Sequence, residues 1–397
     1  MAMAFHILFI TDRFPPQVGG VAISSERLTR LLAERGHVVH VLHLGANVEP
    51  ASAQSQREGD VMVHRLGVLE SPDVTLQLAD NVISHLHERV DFQIFHGHYL
   101  TPSGYLAAFY AKTFGAKSFV SVRGNDVDRG MFNSNQLPFI LWTLQHADAI
   151  GCVSRELARK CNALSGRDDI HYTPNSVDLD LFQPQAKDEQ LLQSLTHQGE
   201  TLLGFVGELR FKKGTHFLLD AFRVVREKRA AKLLIVGGMR REDRSFLRHY
   251  LRQHPDLRPD IHLVEYVHDR RELVKYYSLM DIVLAPSLWD GMPNSVLEAM
   301  ACGRLVIASN VGGIRDVITH GETGLLVDVH ELHRLGEGCL EVMKAGEEVR
   351  TEIGQRARGY VEQHHTPEQE VRQLTEIYAN LMKDERCRDA GMQGCKT

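Results

Sequence analysis

The chain has 397 residues, 43% of them hydrophobic and 24% charged, with a formal net charge of −6. That length predicts two or so domains and that composition an ordinary globular protein. The mild acidity argues against a nucleic-acid partner. No apolar run is long enough to span a bilayer, which leaves peripheral contact with a membrane surface open.

Six cysteines, Cys152, Cys161, Cys302, Cys339, Cys387 and Cys395, form no CxxC pair. A chain of this size needs no staples, so free thiols in a cytoplasmic protein are expected, at most peripheral at the inner membrane face. The apolar run FHILFI (5–10) has no basic stretch before it, and Asp12 and Arg13 follow at once. It reads as a first strand, not a signal peptide. A helical pattern over about 23–34 and the strand HVVHVLHL (37–44) come next. VMVHRL (61–66), FQIF (92–95), KSFVSV (117–122) and DAIGCV (148–153) predict further strands. A polar, strand-poor stretch from about 183 to 200 reads as a linker. Beyond it lie TLLGFVG (201–207), a helix over about 215–228, AKLLIVGG (231–238), IHLVEYV (261–267), DIVLAP (281–286), RLVIAS (304–309) and GLLVD (324–328). The pattern is then helical to 386, and the tail DAGMQGCKT is expected to fray. Alternation of this kind means α/β structure with parallel sheets, here two doubly wound domains facing each other across a cleft.

The richest stretch is SLWDGMPNSVLEAMACG (287–303), in which seven residues separate Asp290 from Glu298. Pro293 suits the first turn of a helix and Gly303 its stop. With DIVLAP before it and RLVIAS after it, the unit is strand–helix–strand, and ligands collect at the carboxyl ends of such strands. Free amides around Asn294, Ser295 and Val296 would face an anion there. Glu298, one turn in, is placed to accept from a sugar or ribose hydroxyl.

These residues resemble a known family. The block 201–330 is similar to the carboxyl-terminal half of glycosyltransferase family 4, retaining transferases of the GT-B fold. The family signature is an acid, Gly, x, Pro, then Leu-Glu-Ala-Met-Ala-x-Gly, with seven residues between its acids; DGMPNSVLEAMACG and then VGGIRDVITHGETGLLVD (311–328) follow it. VGELRFKKG (206–214), TPNSVDLDLF (173–182), DFQIFHGHYLTP (91–102) and PPQVGGVAISSERLTRLLAERGHVVHVL (15–42) fit in order, so the resemblance covers essentially the whole chain.

The resemblance implies two Rossmann-like domains, 1–184 for the acceptor and 185–365 for a nucleotide-sugar donor. It also implies a helix over 366–397, with its tail, that crosses back to the first domain. Val371, Leu374, Ile377, Tyr378 and Leu381 make one face of that helix at helical spacing. Carried over residue by residue, Glu298 would hold the ribose hydroxyls. Asp290, where the family usually has Glu, would hold a hydroxyl of the donor sugar. Gly291 and the amides near Asn294, Ser295 and Val296 would meet the sugar and the diphosphate. Lys213 would pair with the diphosphate. Arg210 or Lys212 would supply the charge of an Arg that similar proteins carry where this chain has Glu208. Gly19 and Gly20 would let the first loop approach phosphate or acceptor.

The implied activity moves a hexose-type sugar from a UDP- or GDP-sugar to a hydroxyl of a carbohydrate or glycolipid, in surface polysaccharide or glycolipid assembly. Retention is assigned in the family to attack from the leaving-group face, and neither a cofactor nor a metal is implied. The alternatives are a nucleotide-sugar 2-epimerase, which shares the architecture, and a non-catalytic sugar-nucleotide binding protein. Asp178–Asp180 and Asp126–Asp128 match a metal-binding Asp-x-Asp but are read as chance occurrences. In HGH (96–98), His98 is expected to line the cleft and His96 to pack or cap. RGND (123–126) stands where similar enzymes place a His near the sixth carbon of the donor sugar. Arg123 is therefore expected to meet an anion on donor or acceptor, with Asp126 as the blander alternative partner.

Overall fold

A computed structural model describes residues 4–45 and 48–393. The chain divides into two compact units, Met1–Asn175 with Pro367–Thr397, and Ser176–Thr366.

The first unit is built on β1 (His6–Thr11), β2 (Val38–Leu44), β3 (Ala53–Glu58), β4 (Val61–Leu66), β5 (Ile94–His98), β6 (Lys117–Val122), β7 (Ala149–Cys152) and β8 (His171–Tyr172). Between them run α1 (Gly20–Glu34), α2 (Pro72–Val90), α3 (Tyr105–Phe114), α4 (Asn125–Asp128), α5 (Leu137–His146) and α6 (Arg155–Ser165). The sheet order is β3-β4-β2-β1-β5-β6-β7-β8, parallel except where β3 pairs with β4. Alternation along β1 shows why helices cover both faces. Ile7 and Phe9 join Leu28, Val41 and Val63 in one apolar cluster, while Leu8 and Ile10 join Leu42, Ile83 and Leu106 in another. β3, with the sequence AQSQRE, is an edge strand exposed over most of its length, so it carries no apolar pattern that would have announced it.

The second unit runs α7 (Glu189–Leu195), β9 (Thr201–Val206), α8 (Thr215–Lys228), β10 (Ala231–Val236), α9 (Arg241–Gln253), β11 (Ile261–Val264), α10 (Arg270–Leu279) and β12 (Ile282–Ala285). It continues through α11 (Asn294–Ala301), β13 (Leu305–Ser309), α12 (Ile314–Val317), β14 (Leu325–Val327), α13 (Leu335–Ala345) and α14 (Glu347–His364). Its sheet is ordered β11-β10-β9-β12-β13-β14, with every pair parallel.

The expected linker is part of this second unit. It contains α7, whose start Asp188 caps by accepting the Leu191 N–H. The units divide at Asn175, not at 184. The reason is local: the Val177 N–H donates to His365 O, and Phe182 packs edge-on against Tyr277 of α10.

The last helix, α15 (Pro367–Gln393), lies in the first unit, where Val371, Leu374, Ile377 and Tyr378 are buried and Leu381 is packed against the same cluster. Its helical span includes the start of the segment expected to fray; residues 394–397, Cys395 among them, and the Cys387 side chain lie outside what is described. Cys152, Cys161, Cys302 and Cys339 are buried and free. Among the described residues no helix is long and apolar enough to cross a membrane.

Candidate functional site

In the second sheet, β10 and β11 lie on one side of β9 and β12 to β14 on the other, so the winding reverses between β9 and β12. Ligands of open parallel sheets gather outside the carboxyl ends of the strands at such a reversal. The segments leaving these two strands carry most of the residues singled out in the sequence. β9 leads through Glu208 and Arg210 into a single helical turn, Phe211–Lys213. Gly214 closes that turn in left-handed backbone at φ 72°, and a Cβ there would run into the carbonyl oxygen of Pro286. Glycine is what lets the lysine turn lie against the loop after β12. The Leu288 N–H donates to Lys212 O at 2.8 Å and ties the same two segments. Lys213 Nζ thereby reaches Asp290 Oδ2 at 2.5 Å, with 16% and 12% of the two side chains exposed. From the next strand, Gly312, at φ 48°, brings its loop onto the Asp290 carbonyl, where a Cβ would collide.

Burial alone would raise the Asp290 pKa, but Lys213, Lys212 and Arg210 outweigh it and hold the carboxyl below the usual range. Asp290 is therefore a carboxylate among cations, and Lys213 an ammonium already aimed at this point. Arg210 is also engaged by Glu208 at 3.1 Å, and Glu208 takes Arg240 at 2.9 Å as well.

α11 forms because Val296, Leu297, Ala299, Met300 and Ala301 bury while Gly303, at φ 66°, stops it. Pro293 stands just before the helix as its cap, with Asn294 the first helical residue. The Val296 N–H is not free for a ligand, because it donates to Pro293 O at 3.2 Å. Asn294 and Ser295 remain the first two helical residues, whose N–H groups no α-helical bond can reach.

Glu298 is 5% exposed and is held on both oxygens. Oε1 takes Arg270 at 3.0 Å and Oε2 takes the Tyr277 hydroxyl at 2.9 Å. The Arg270 guanidinium lies over the Phe182 ring at 4.9 Å. A carboxylate has about four acceptor positions, so these two partners do not fill it.

In the first sheet the reversal falls between β1 and β5. Gly19, at φ 128°, stands before α1, and no heavy atom would crowd a Cβ there; α1 itself begins at Gly20. His98 ends β5 fully buried, with Nε2 3.2 Å from Ser24 Oγ. The single Ser24 proton goes to Val21 O at 2.9 Å, so His98 donates from Nε2 and Nδ1 is a bare acceptor. Burial, then Arg123, push the His98 pKa well below its usual value. His96 packs as expected, bonded to the Tyr378 hydroxyl at 2.6 Å and to Ser121 Oγ at 2.9 Å.

Asp126 does not pair with the Arg123 side chain. Its carboxyl accepts the N–H groups of Leu100, Arg123 and Gly124, and burial still pushes its pKa up to about 6. The Arg123 guanidinium donates to Asn175 Oδ1 instead. Asp178 accepts the N–H groups of Asp180 and Leu181 in a local turn.

Lys213, Arg210, Asp290, Gly291, Asn294, Ser295, Val296 and Glu298 thus belong to the second unit, and Gly19, Gly20, His98, Arg123 and Asp126 to the first. Sequence reading missed Arg270 and Tyr277, which hold Glu298 from another helix. It also missed Tyr99, the residue after β5, whose backbone adopts φ 103°. That Tyr99 backbone is uncommon for a bulky residue.

Two family models match this chain. The one described as Glycosyltransferase Family 4 takes residues 18–181, and the one described as Glycosyl transferases group 1 takes residues 200–345. The chain is 25% identical over 384 residues to N-acetyl-alpha-D-glucosaminyl L-malate synthase of Bacillus anthracis, covering 94% of this chain and 96% of that protein. It is 28% identical over 353 residues to a GDP-mannose-dependent alpha-mannosyltransferase of Mycobacterium tuberculosis, covering 85% and 88%. Sucrose-phosphate synthase from Thermosynechococcus elongatus superposes with a TM-score of 0.82 at 22% identity, over 96% of this chain and all of that one. With one signature on each parallel-sheet unit, in family order and across the GT-B fold, the chain belongs to the group 1, family 4 glycosyltransferases, enzymes that take sugar from nucleotide sugars or similar donors.

Proposed function

We propose that the protein is a retaining glycosyltransferase that needs no metal. It moves a hexose-type sugar from a UDP- or GDP-sugar to a hydroxyl of a carbohydrate or glycolipid, in the assembly of a polysaccharide or glycolipid. The observation that carries this reading is the pairing of Lys213 with Asp290 beside the start of α11, at the strand reversal of the second sheet. Breaking the bond from sugar to diphosphate leaves growing negative charge on the nucleotide. A fixed ammonium and helix-start amides stabilise that charge as it develops. Asp290 then turns to a hydroxyl of the sugar, and Glu298, steadied by Arg270 and Tyr277, takes the ribose hydroxyls. The acceptor attacks on the leaving-group face and its proton passes to the departing phosphate, so no enzyme nucleophile is required. The GDP-mannose in the name of the mycobacterial relative supports a nucleotide-diphosphate donor.

Nucleotide release from a panel of UDP- and GDP-sugars, with NMR assignment of the product anomer, tests the reading. An inverted anomer, or no release from any donor, would refute it. Activity is expected to persist in EDTA; loss restored by magnesium or manganese would require a metal.

Glu298→Gln and Glu298→Ala separate binding from support. Alanine leaves the Arg270 and Tyr277 donors without their acceptor and is expected to cost about 1–3 kcal/mol of stability as well as donor affinity. Glutamine keeps one acceptor oxygen and is expected to weaken donor binding less, since bonds to a charged acceptor are the stronger kind. Calorimetric titration with donor, read beside the melting temperature, checks both; unchanged affinity in the alanine variant removes Glu298 from the site.

A further inference from the structure

Exposed apolar side chains scattered singly are ordinary, but a contiguous patch of them marks a partner or a membrane. The first unit carries such a patch on α3 and α5. Phe109 is 40% exposed, Phe139 41% and Phe132 79%. These rings are not isolated. Tyr105 of α3 meets Phe109 at 6.0 Å, Phe139 at 5.0 Å and Trp142 at 5.1 Å between ring centroids. Gly130 opens the single turn Gly130–Phe132, and a Cβ there would collide with Ile140 of α5. That close approach lays the turn of Phe132 beside the same helix. α5, LPFILWTLQH, has no acidic or basic residue besides His146. Ile140, Thr143 and Leu144 form its buried side, which leaves Phe139 and Trp142 on the side toward water.

The charges around the patch have one sign. Tyr105, Phe109 and Lys112 recur at i, i+4 and i+7 on one face of α3. Arg129 immediately precedes the Phe132 turn. Both cations are exposed, and among the described residues no ion pair joins either to a carboxylate. Between Tyr105 and His146 the chain has two acids, Asp126 and Asp128. Asp126 is buried and accepts backbone N–H groups, and Asp128 takes Lys160 Nζ at 2.6 Å. Asp148, just past α5, accepts from the Ser118 hydroxyl. A chain of net charge −6 thus presents here an aromatic surface edged by cations. A symmetric contact between two copies would set Lys112 and Arg129 against themselves, with no acid in the patch to receive them. An anionic lipid surface suits both kinds of group, rings at headgroup level and cations against phosphate.

We propose that the patch of α3, α5 and the Gly130–Phe132 turn docks the protein on an anionic phospholipid surface. Phe109, Phe132, Phe139 and Trp142 sink to the level of the headgroups while Lys112 and Arg129 meet lipid phosphates. The surface lies wholly within the first unit. It goes beyond the transferase reading, because it says where the protein works and not which sugar it moves.

Binding of the full chain to vesicles, read without donor or acceptor, is the test. Co-sedimentation is expected with vesicles of phosphatidylglycerol and phosphatidylcholine in equal parts, and is expected to be much weaker with phosphatidylcholine alone. Phe109→Ser with Phe139→Ser is expected to lower the partition constant at least about tenfold, since each ring sinks part of its apolar area. Lys112→Gln with Arg129→Gln is expected to lower binding to the anionic vesicles about thirtyfold and to leave binding to phosphatidylcholine unchanged. All four side chains are exposed, so the melting temperature is expected to hold in both variants, and either pair decides if the other fails to fold. Trp142 is one of two tryptophans, and the other, Trp289, belongs to the second unit. Quenching of tryptophan fluorescence by bromine-labelled lipid chains is expected in wild type and is expected to disappear in Trp142→Phe. No vesicle binding, binding that both pairs of substitutions leave intact, or a dimer that the serine pair dissolves while vesicles bind nothing overturns the proposal. Failure of the transferase reading shows separately, as no nucleotide release from any donor while the vesicle result stands by itself.

Discussion

Lys213→Ala is expected to lower kcat by about 100-fold or more, since removing one donor aimed at developing charge costs that much in comparable sites. Its ammonium lies 2.5 Å from Asp290, and both side chains are largely buried, so the variant also leaves a buried carboxylate without its nearest cation. The two effects separate in a double-mutant cycle with Asp290→Asn. If Lys213 served only to neutralise Asp290, the asparagine variant would tolerate Lys213→Ala and the rate would recover. If it acts on the diphosphate, the loss in kcat persists in the double variant. The pair also has a pH signature. The folded-state pKa of Asp290 is lowered, so the folded chain holds its proton less tightly than the unfolded chain does. Its contribution to stability is present above the ordinary aspartate pKa and is lost as pH falls through the lowered one. Asp290→Asn is expected to flatten that part of the acid-unfolding curve.

Truncation after His365 is expected to unfold the first unit. Val371, Leu374, Ile377 and Tyr378 are each at most 7% exposed within its core, and burial of such side chains contributes about 1.5–3 kcal/mol apiece. That sum is comparable with the whole stability of a domain, about 5–15 kcal/mol. Arg27, 6% exposed as a side chain, would lose Glu370 and be left as a buried, unpaired cation. Loss of the melting transition of the first unit, dye binding to exposed apolar surface and loss of transfer are the expected readouts. A truncated chain that melts and turns over normally contradicts this. Tyr378→Phe is the graded version: it removes only the bond to His96, for an expected cost of about 1–3 kcal/mol.

The buried strands were legible because parallel strands covered on both faces are continuous apolar runs, as in LFI of β1 and IVLA of β12. The edge strand β3 and the short helix α7 were not, since one is nearly all polar and the other buries none of its residues. Asp290 and Glu298 could be read together because one strand–loop–helix unit carries both. Their partners could not. Lys213 is 77 residues from Asp290, Tyr277 is 21 from Glu298, and Arg123 faces Asn175 rather than the Asp126 that follows it so closely. Such pairings depend on which strands lie side by side and on how far each loop reaches, and no local periodicity encodes either.

The first unit is assembled from two stretches of chain, while the second is one unbroken stretch between them. During synthesis the second unit can close as soon as its own residues have emerged. The sheet of the first unit, made earlier, must wait with part of one apolar face, the part beside α1, uncovered until α15 leaves the ribosome. The half made first is therefore finished last, and a chain released before Pro367 would carry a complete second unit beside an incomplete first one.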